Sequence, residues 1–93
     1  MSAVRVRYYM SFSQLAGRRE ERVEVQEGAR IEELLDRLGA VYGAPFRKHL
    51  ESGVVFLNGA ESERSAPLKD GDEVALMVPV GGGSGYKKQT YDT

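Results

Sequence analysis

From Val4 to Met10 apolar and polar side chains alternate, with Val4, Val6, Tyr8 and Met10 on one side of an extended chain and Arg5, Arg7 and Tyr9 on the other. A period of two predicts a half-buried strand. The alternation stops between Ser11 and Arg19, a connection from which Leu15 folds back onto the core. It resumes from Glu21 to Gln26, with Val23 and Val25 inward and Arg22, Glu24 and Gln26 outward. Two strands this close in sequence predict an antiparallel hairpin with a long loop. After Glu27-Gly28 the period changes. Ile31, Leu34, Leu35, Leu38, Val41 and Tyr42 recur at helical spacing, which predicts one amphipathic helix with a single apolar stripe. Glu32 and Glu33 fall in its first turn, where the helix dipole favours negative charge. Ala29 and Arg30 stand where a capping side chain belongs, and neither is a good cap. Gly39 costs such a helix up to about 1 kcal/mol relative to alanine, so a close packing contact is expected there. Gly43-Ala44-Pro45 ends the helix, and Pro45 opens a second short one through Leu50.

Gly53 to Leu57 is apolar on both faces, Val54 and Phe56 on one and Val55 and Leu57 on the other. Asn58-Gly59 signals a hairpin turn, and the polar run Ala60 to Ser65 holds a short returning strand. Leu68 is expected in the core, Lys69-Asp70-Gly71-Asp72 in a tight turn, and Glu73 to Val80 in the last long strand. In that strand Val74, Leu76 and Val78 share one face, and Ala75 and Met77 the other. These elements predict an α+β chain, a mixed sheet of four to five strands packed on one main helix plus a short second helix. One helix covers one face of a sheet. The other face is expected to carry Tyr9, Val55, Leu57, Ala75 and Met77, a patch that reads as a docking surface.

Ninety-three residues make one domain, here residues 1–83, with a flexible end at Gly81-Gly82-Gly83 and a disordered, removable tail over 84–93. The formal charge is −1, and Lys87, Lys88 and Asp92 give the tail +1, which leaves −2 on the body. Nothing in that balance suggests a nucleic-acid polyanion as the partner, and none is expected. Charges at every second residue from Arg5 exclude a signal peptide, and no apolar run reaches spanning length. With no cysteine there is no disulfide, thiolate metal site or thiol nucleophile, and a cytoplasmic location is the default. His49, the lone histidine, is expected at an exposed position on the short helix, and turn chemistry accounts for Asp70, Asp72 and Glu73. Gly81 to Lys88 fails as a phosphate-binding loop because Tyr86 precedes Lys87 and no helix follows. Three consecutive glycines instead make a slim peptide reaching roughly 10 Å, able to enter a channel that a side chain would block.

Three features coincide: the order of elements, the turn Leu68-Lys69-Asp70-Gly71-Asp72-Glu73-Val74, and the ending Pro79-Val80-Gly81-Gly82-Gly83. Together with Tyr8-Tyr9 and Leu15-Ala16-Gly17, they resemble the MoaD/ThiS family of ubiquitin-like sulfur carriers, in its MoaD branch. The resemblance spans residues 4–83 and implies a β-grasp fold with Gly82-Gly83 as the working end. It also implies that the chain is a substrate and not an enzyme, with no tightly bound cofactor. A ubiquitin-activating-type enzyme uses ATP to adenylate the last glycine's carboxylate. That carboxylate becomes a thiocarboxylate, and sulfur passes to a molybdopterin synthase large subunit or another acceptor. Tyr9, Met77, Pro79, Val80 and Gly81 are the expected partner-binding residues. In the family the working chain ends at the second of the paired glycines, here Gly83. Ser84 follows in this sequence, so the carrier chemistry requires removal of 84–93, as by a JAMM-type metalloprotease. Conjugation of the same glycine to lysines of target proteins, or a purely non-covalent binding module, are the alternatives.

Overall fold

The computed structural model describes residues 1–79. The elements run β1 (Ser2–Tyr8), α1 (Ser11–Ala16), β2 (Glu20–Val25), α2 (Ile31–Tyr42), α3 (Ala44–Ser52), β3 (Val54–Leu57), β4 (Ala60–Glu61) and β5 (Glu73–Met77). Among the described residues the strands form one mixed sheet in the order β2-β1-β5-β3-β4. Only the central pair, β1 with β5, is parallel; β1–β2, β3–β5 and β3–β4 are antiparallel. The helices pack on one face. The sheet, the main helix and the short second helix are those that the apolar pattern predicts.

Val4, Val6 and Tyr8 of β1, Val23 and Val25 of β2, and Val74 and Leu76 of β5 point into one core with Ile31, Leu34, Leu35 and Leu38 of α2. Leu68 is planted among them as expected. Four expectations need correction. Met10 does not extend the first strand; it turns at φ 55° and is 56% exposed. The connection after it holds the short helix α1, whose fully buried residue is Phe12, with Leu15 only packed at the core's margin. Val41, at the end of the helical stripe, is 66% exposed, and it is the next residue, Tyr42, that turns the last turn of α2 onto Tyr8 of the sheet. His49 is half-buried: its Nε2 lies 2.5 Å from Ser11 Oγ and its ring packs on Phe12, so it joins α3 to α1.

The missing cap of α2 is supplied from elsewhere. The backbone N–H groups of Ile31 and Glu32 donate to the carbonyls of Ala66 and Arg64, and Glu33 Oε1 accepts the N–H of Arg30 at 2.7 Å. These contacts satisfy donors that every helix start leaves open. The other end of the helical layer is held by Arg64, which donates to the carbonyls of Leu50 and Gly53 at 2.6 and 3.1 Å, where α3 stops.

Candidate functional site

The fifth strand leads toward the glycines, and its surroundings decide what the end of the domain presents. Val80, Gly81, Gly82, Gly83 and the tail 84–93 lie outside the described residues. What is described is the mount: Tyr9 donates its backbone N–H to Leu76 O at 3.0 Å, which continues the β1–β5 ladder past the end of β1. Pro79 is exposed, Tyr9 is exposed, and Met77 is half-covered.

The start of β5 is anchored by the turn that the sequence singles out. Asp70 Oδ1 accepts the Ala3 N–H at 2.7 Å, and Gly71 donates to the Ala3 carbonyl at 2.8 Å. Asp72 accepts from Lys69 N–H at 2.8 Å with one carboxylate oxygen and from the Asn58 amide at 3.0 Å with the other. Asn58 in turn accepts the Glu73 N–H at 2.9 Å. Asn58 and Gly59 have φ of 52° and 88°, the positive pair that a tight two-residue hairpin requires. The acidic residues here are backbone acceptors, and they rivet the last strand to β1 and to the β3–β4 hairpin.

The open sheet face differs from the expected one in one strand. Val55 pairs with Leu76 and Leu57 with Val74, both core residues, so Val55 and Leu57 face the helices. Val54 and Phe56 occupy the open face in their place, opposite Met77 and Ala75. The face beside the end of β5 therefore carries Tyr9, Val54, Phe56, Ala75 and Met77. One row crosses all five strands through direct cross-strand pairs: Glu20–Arg7–Ala75–Phe56–Glu61. Arg7 lies 3.4 Å from Glu20 and 3.7 Å from Glu73, and Glu20 also lies 3.4 Å from Arg5. Glu61 makes no ion pair among the described residues.

On the other side of β1, Tyr8 donates to Glu21 Oε2 at 2.6 Å, and Tyr42 donates to the same oxygen. Arg18 meets the second oxygen at 3.1 Å. Burial, and then the bond to Glu21, push the Tyr8 phenol far above the ordinary tyrosine range. Burial and Glu21 raise Tyr42 in the same direction. The sequence marks Tyr8 as an inward strand residue and Tyr42 as a member of the helical stripe, and neither as a hydrogen-bond donor to Glu21. Among the described residues no three His, Asp or Glu side chains gather as a metal site would need. No helix there is long and apolar enough to cross a membrane. The described residues supply a hydrogen-bonded mount for the last strand and an open sheet face.

A two-layer domain of this order, with a parallel central pair and a final strand leading to paired glycines, is a ubiquitin-like β-grasp domain. The ThiS family model matches residues 6–83, so its match closes on Gly83. A curated protein of Chlamydomonas reinhardtii, the molybdopterin synthase sulfur carrier subunit, is 34% identical over 83 residues, covering 86% of this chain and 98% of its own. Among solved structures, the putative molybdopterin converting factor subunit 1 of Pyrococcus furiosus is 33% identical with a TM-score of 0.76, covering 86% of this chain and all of that one. SAMP1 of Haloferax volcanii, a small archaeal modifier protein, is 25% identical with a TM-score of 0.74, covering 88% of this chain and all of that one. The chain belongs to the ThiS family, the MoaD/ThiS group of small ubiquitin-like sulfur carriers, which serve as carrier subunits and not as catalysts.

Proposed function

We propose that this protein carries sulfur on the C-terminal carboxyl of Gly83 for a molybdopterin-type synthesis, once residues 84–93 have been removed. The observation that carries this reading is the family match ending on Gly83 just beyond the anchored last strand. A glycine carboxylate is a poor electrophile until one oxygen becomes part of a leaving group. In the proposed cycle an adenylating enzyme directs that oxygen at the α-phosphorus of ATP, pyrophosphate departs, and an acyl adenylate forms. A hydrosulfide-level sulfur then adds to the acyl carbon, and AMP leaves with the former carboxylate oxygen. The thiocarboxylate so formed delivers its sulfur to an acceptor enzyme. The carrier needs no cofactor of its own, since ATP is consumed by the partner in the cytoplasm.

Gly82 and Gly81 serve by being narrow, while docking energy comes from Tyr9, Met77, Pro79 and Val80 at a distance from the reacting atom. The large subunit of a molybdopterin synthase is the proposed acceptor, because the Chlamydomonas relative bears the name of that enzyme's carrier subunit. A JAMM-type metalloprotease is the proposed remover of the tail. The test uses the form ending at Gly83 with the adenylating enzyme of the same cell, ATP and a sulfur donor, read by intact mass. A gain equal to one oxygen exchanged for sulfur is expected; an unchanged mass sinks the proposal. The likeness to SAMP1 supports a second reading, in which the same acyl group is joined to lysines of proteins. A ladder of conjugates on immunoblots, lost with Gly83→Ala, is its signature.

A further inference from the structure

The open face has a property that partner docking does not require: it is complementary to itself. The row Glu20–Arg7–Ala75–Phe56–Glu61 reads acid, base, small, large, acid across the sheet. Reversed and laid over itself with one strand of offset, it sets Phe56 of each copy against Ala75 of the other. The same operation sets Arg7 of each against Glu61 of the other. The next row along the strands obeys the same symmetry, because Met77 and Val54 are directly opposed on β5 and β3 and change places with each other.

We propose that two copies of this chain associate face to face about a two-fold axis that runs along the strands between β5 and β3. A two-fold axis makes each contact occur twice. Ala75, the small residue of the row, stands directly between Arg7 and Phe56 and is 9% exposed, so the incoming ring of Phe56 meets it only at the centre of the contact. Both Glu61 and Arg7 are exposed, and Arg7 holds its intramolecular acids only at 3.4 and 3.7 Å. Charge-assisted bonds of full strength are shorter, about 2.7–2.9 Å, so the guanidinium keeps donors for a third carboxylate. The contact spans about four strands at roughly 4.8 Å spacing and about three same-face rows at roughly 6.8 Å. That footprint is far below the roughly 800 Å² per partner of stable complexes, so the pair is transient and forms at high concentration. Tyr9 and Met77 lie on the same face, so self-association competes with the docking of an activating enzyme proposed above, a consequence that rests on that reading.

The test is sedimentation velocity on the full chain from about 10 μM to about 1 mM, the range in which small interfaces are populated. The weight-average mass is expected to rise from monomer toward dimer and to fall again in high salt. Glu61→Lys places Arg7 against a lysine, and Arg7→Glu places Glu61 against a glutamate; each alone should weaken association by about tenfold or more. An equimolar mixture of the two variants restores both ion pairs, Arg7 with Glu61 and the two introduced charges with each other. Its association should return to within about twofold of the parent chain. A parent chain that stays monomeric throughout, an E61K chain that dimerises as the parent does, or a mixture that gains nothing over the single variants would each overturn the proposal.

Discussion

Tyr8 and Tyr42, one from the first strand and one from the end of the main helix, donate their hydroxyl hydrogens to a single oxygen, Oε2 of Glu21. The two rings meet edge to face with centroids 6.0 Å apart. Glu21 is only 17% exposed and keeps its other oxygen on Arg18. The hairpin and the helix are thus tied at a point where each polar atom has a partner. Removing the shared acceptor leaves two phenols unpaired, so Glu21→Ala is expected to cost about 1–3 kcal/mol. Urea unfolding of E21A against the parent chain measures it, and a change below a few tenths would refute the shared role.

The same pair gives a pH prediction. Both phenols are raised above the ordinary value of 10.0, chiefly by burial and then by Glu21. Their stabilising contribution is whole below pH 10 and is lost as pH climbs, since the unfolded chain releases protons that the folded one holds. For Tyr8, which stays protonated in the folded chain across this range, linkage limits the loss to about 1.4 kcal/mol per pH unit above pH 10; Tyr42 adds in the same direction. Denaturant midpoints from pH 9 to pH 11 should fall for the parent chain and fall less steeply for Tyr8→Phe. Equal slopes in the two proteins would refute it.

Neither tyrosine announced this role in the sequence. Tyr8 was legible as an inward residue because its strand alternates, and Tyr42 because it closes a helical stripe. A hydroxyl bond between residues separated by 13 and 21 positions has no local pattern. The third strand was opaque for a different reason. Four consecutive apolar residues, Val54 to Leu57, carry no alternation, and a shift of one residue sends every side chain to the other face. Only pairing with β5 decides the matter, and it puts Val55 against Leu76.

That register is testable by a contrasted pair. Val55 is 3% exposed and lies in the core, whereas Val54 is half-covered on the open face. Val55→Ser buries a hydroxyl in apolar surroundings and is expected to lose about 2–4 kcal/mol. Val54→Ser should stay within about 0.5–1 kcal/mol of the parent. Thermal unfolding of the two variants side by side decides the faces, and the reverse order would move β3 by one residue.

The Leu68-to-Val74 turn was the most legible element, because its chemistry is local: short acidic side chains accept nearby N–H groups. Its reach was not legible. Asp72 also holds the amide of Asn58, 14 residues away, so the turn and the hairpin form one clamp. Asp72→Ala is expected to cost about 1–3 kcal/mol through the freed backbone donor. Hydrogen exchange should show faster exchange at the amides of both Lys69 and Glu73. Loss of protection at Lys69 alone would mean that the clamp is two independent turns.

Gly39 was expected to mark a close approach, and the approaching group is the side chain of Arg47. A Cβ built at Gly39 would lie 2.5 Å from Arg47 Cγ, and Arg47 donates to the Gly39 carbonyl at 3.1 Å. Two effects of similar size oppose each other in Gly39→Ala. Alanine favours a helix by up to about 1 kcal/mol over glycine, while displacing Arg47 forfeits its packing and its bond to a carbonyl, worth about 1–3 kcal/mol. The displacement should win, because the clash falls on the middle of the side chain and not on its free end. Gly39→Ala alone is therefore expected to destabilise α2 against α3. In an Arg47→Ala background the clash is gone, only the propensity gain remains, and the same substitution should stabilise. A double-mutant cycle read by denaturant midpoint captures the change of sign. If alanine at position 39 acts identically in both backgrounds, Arg47 is not what keeps this helix position a glycine.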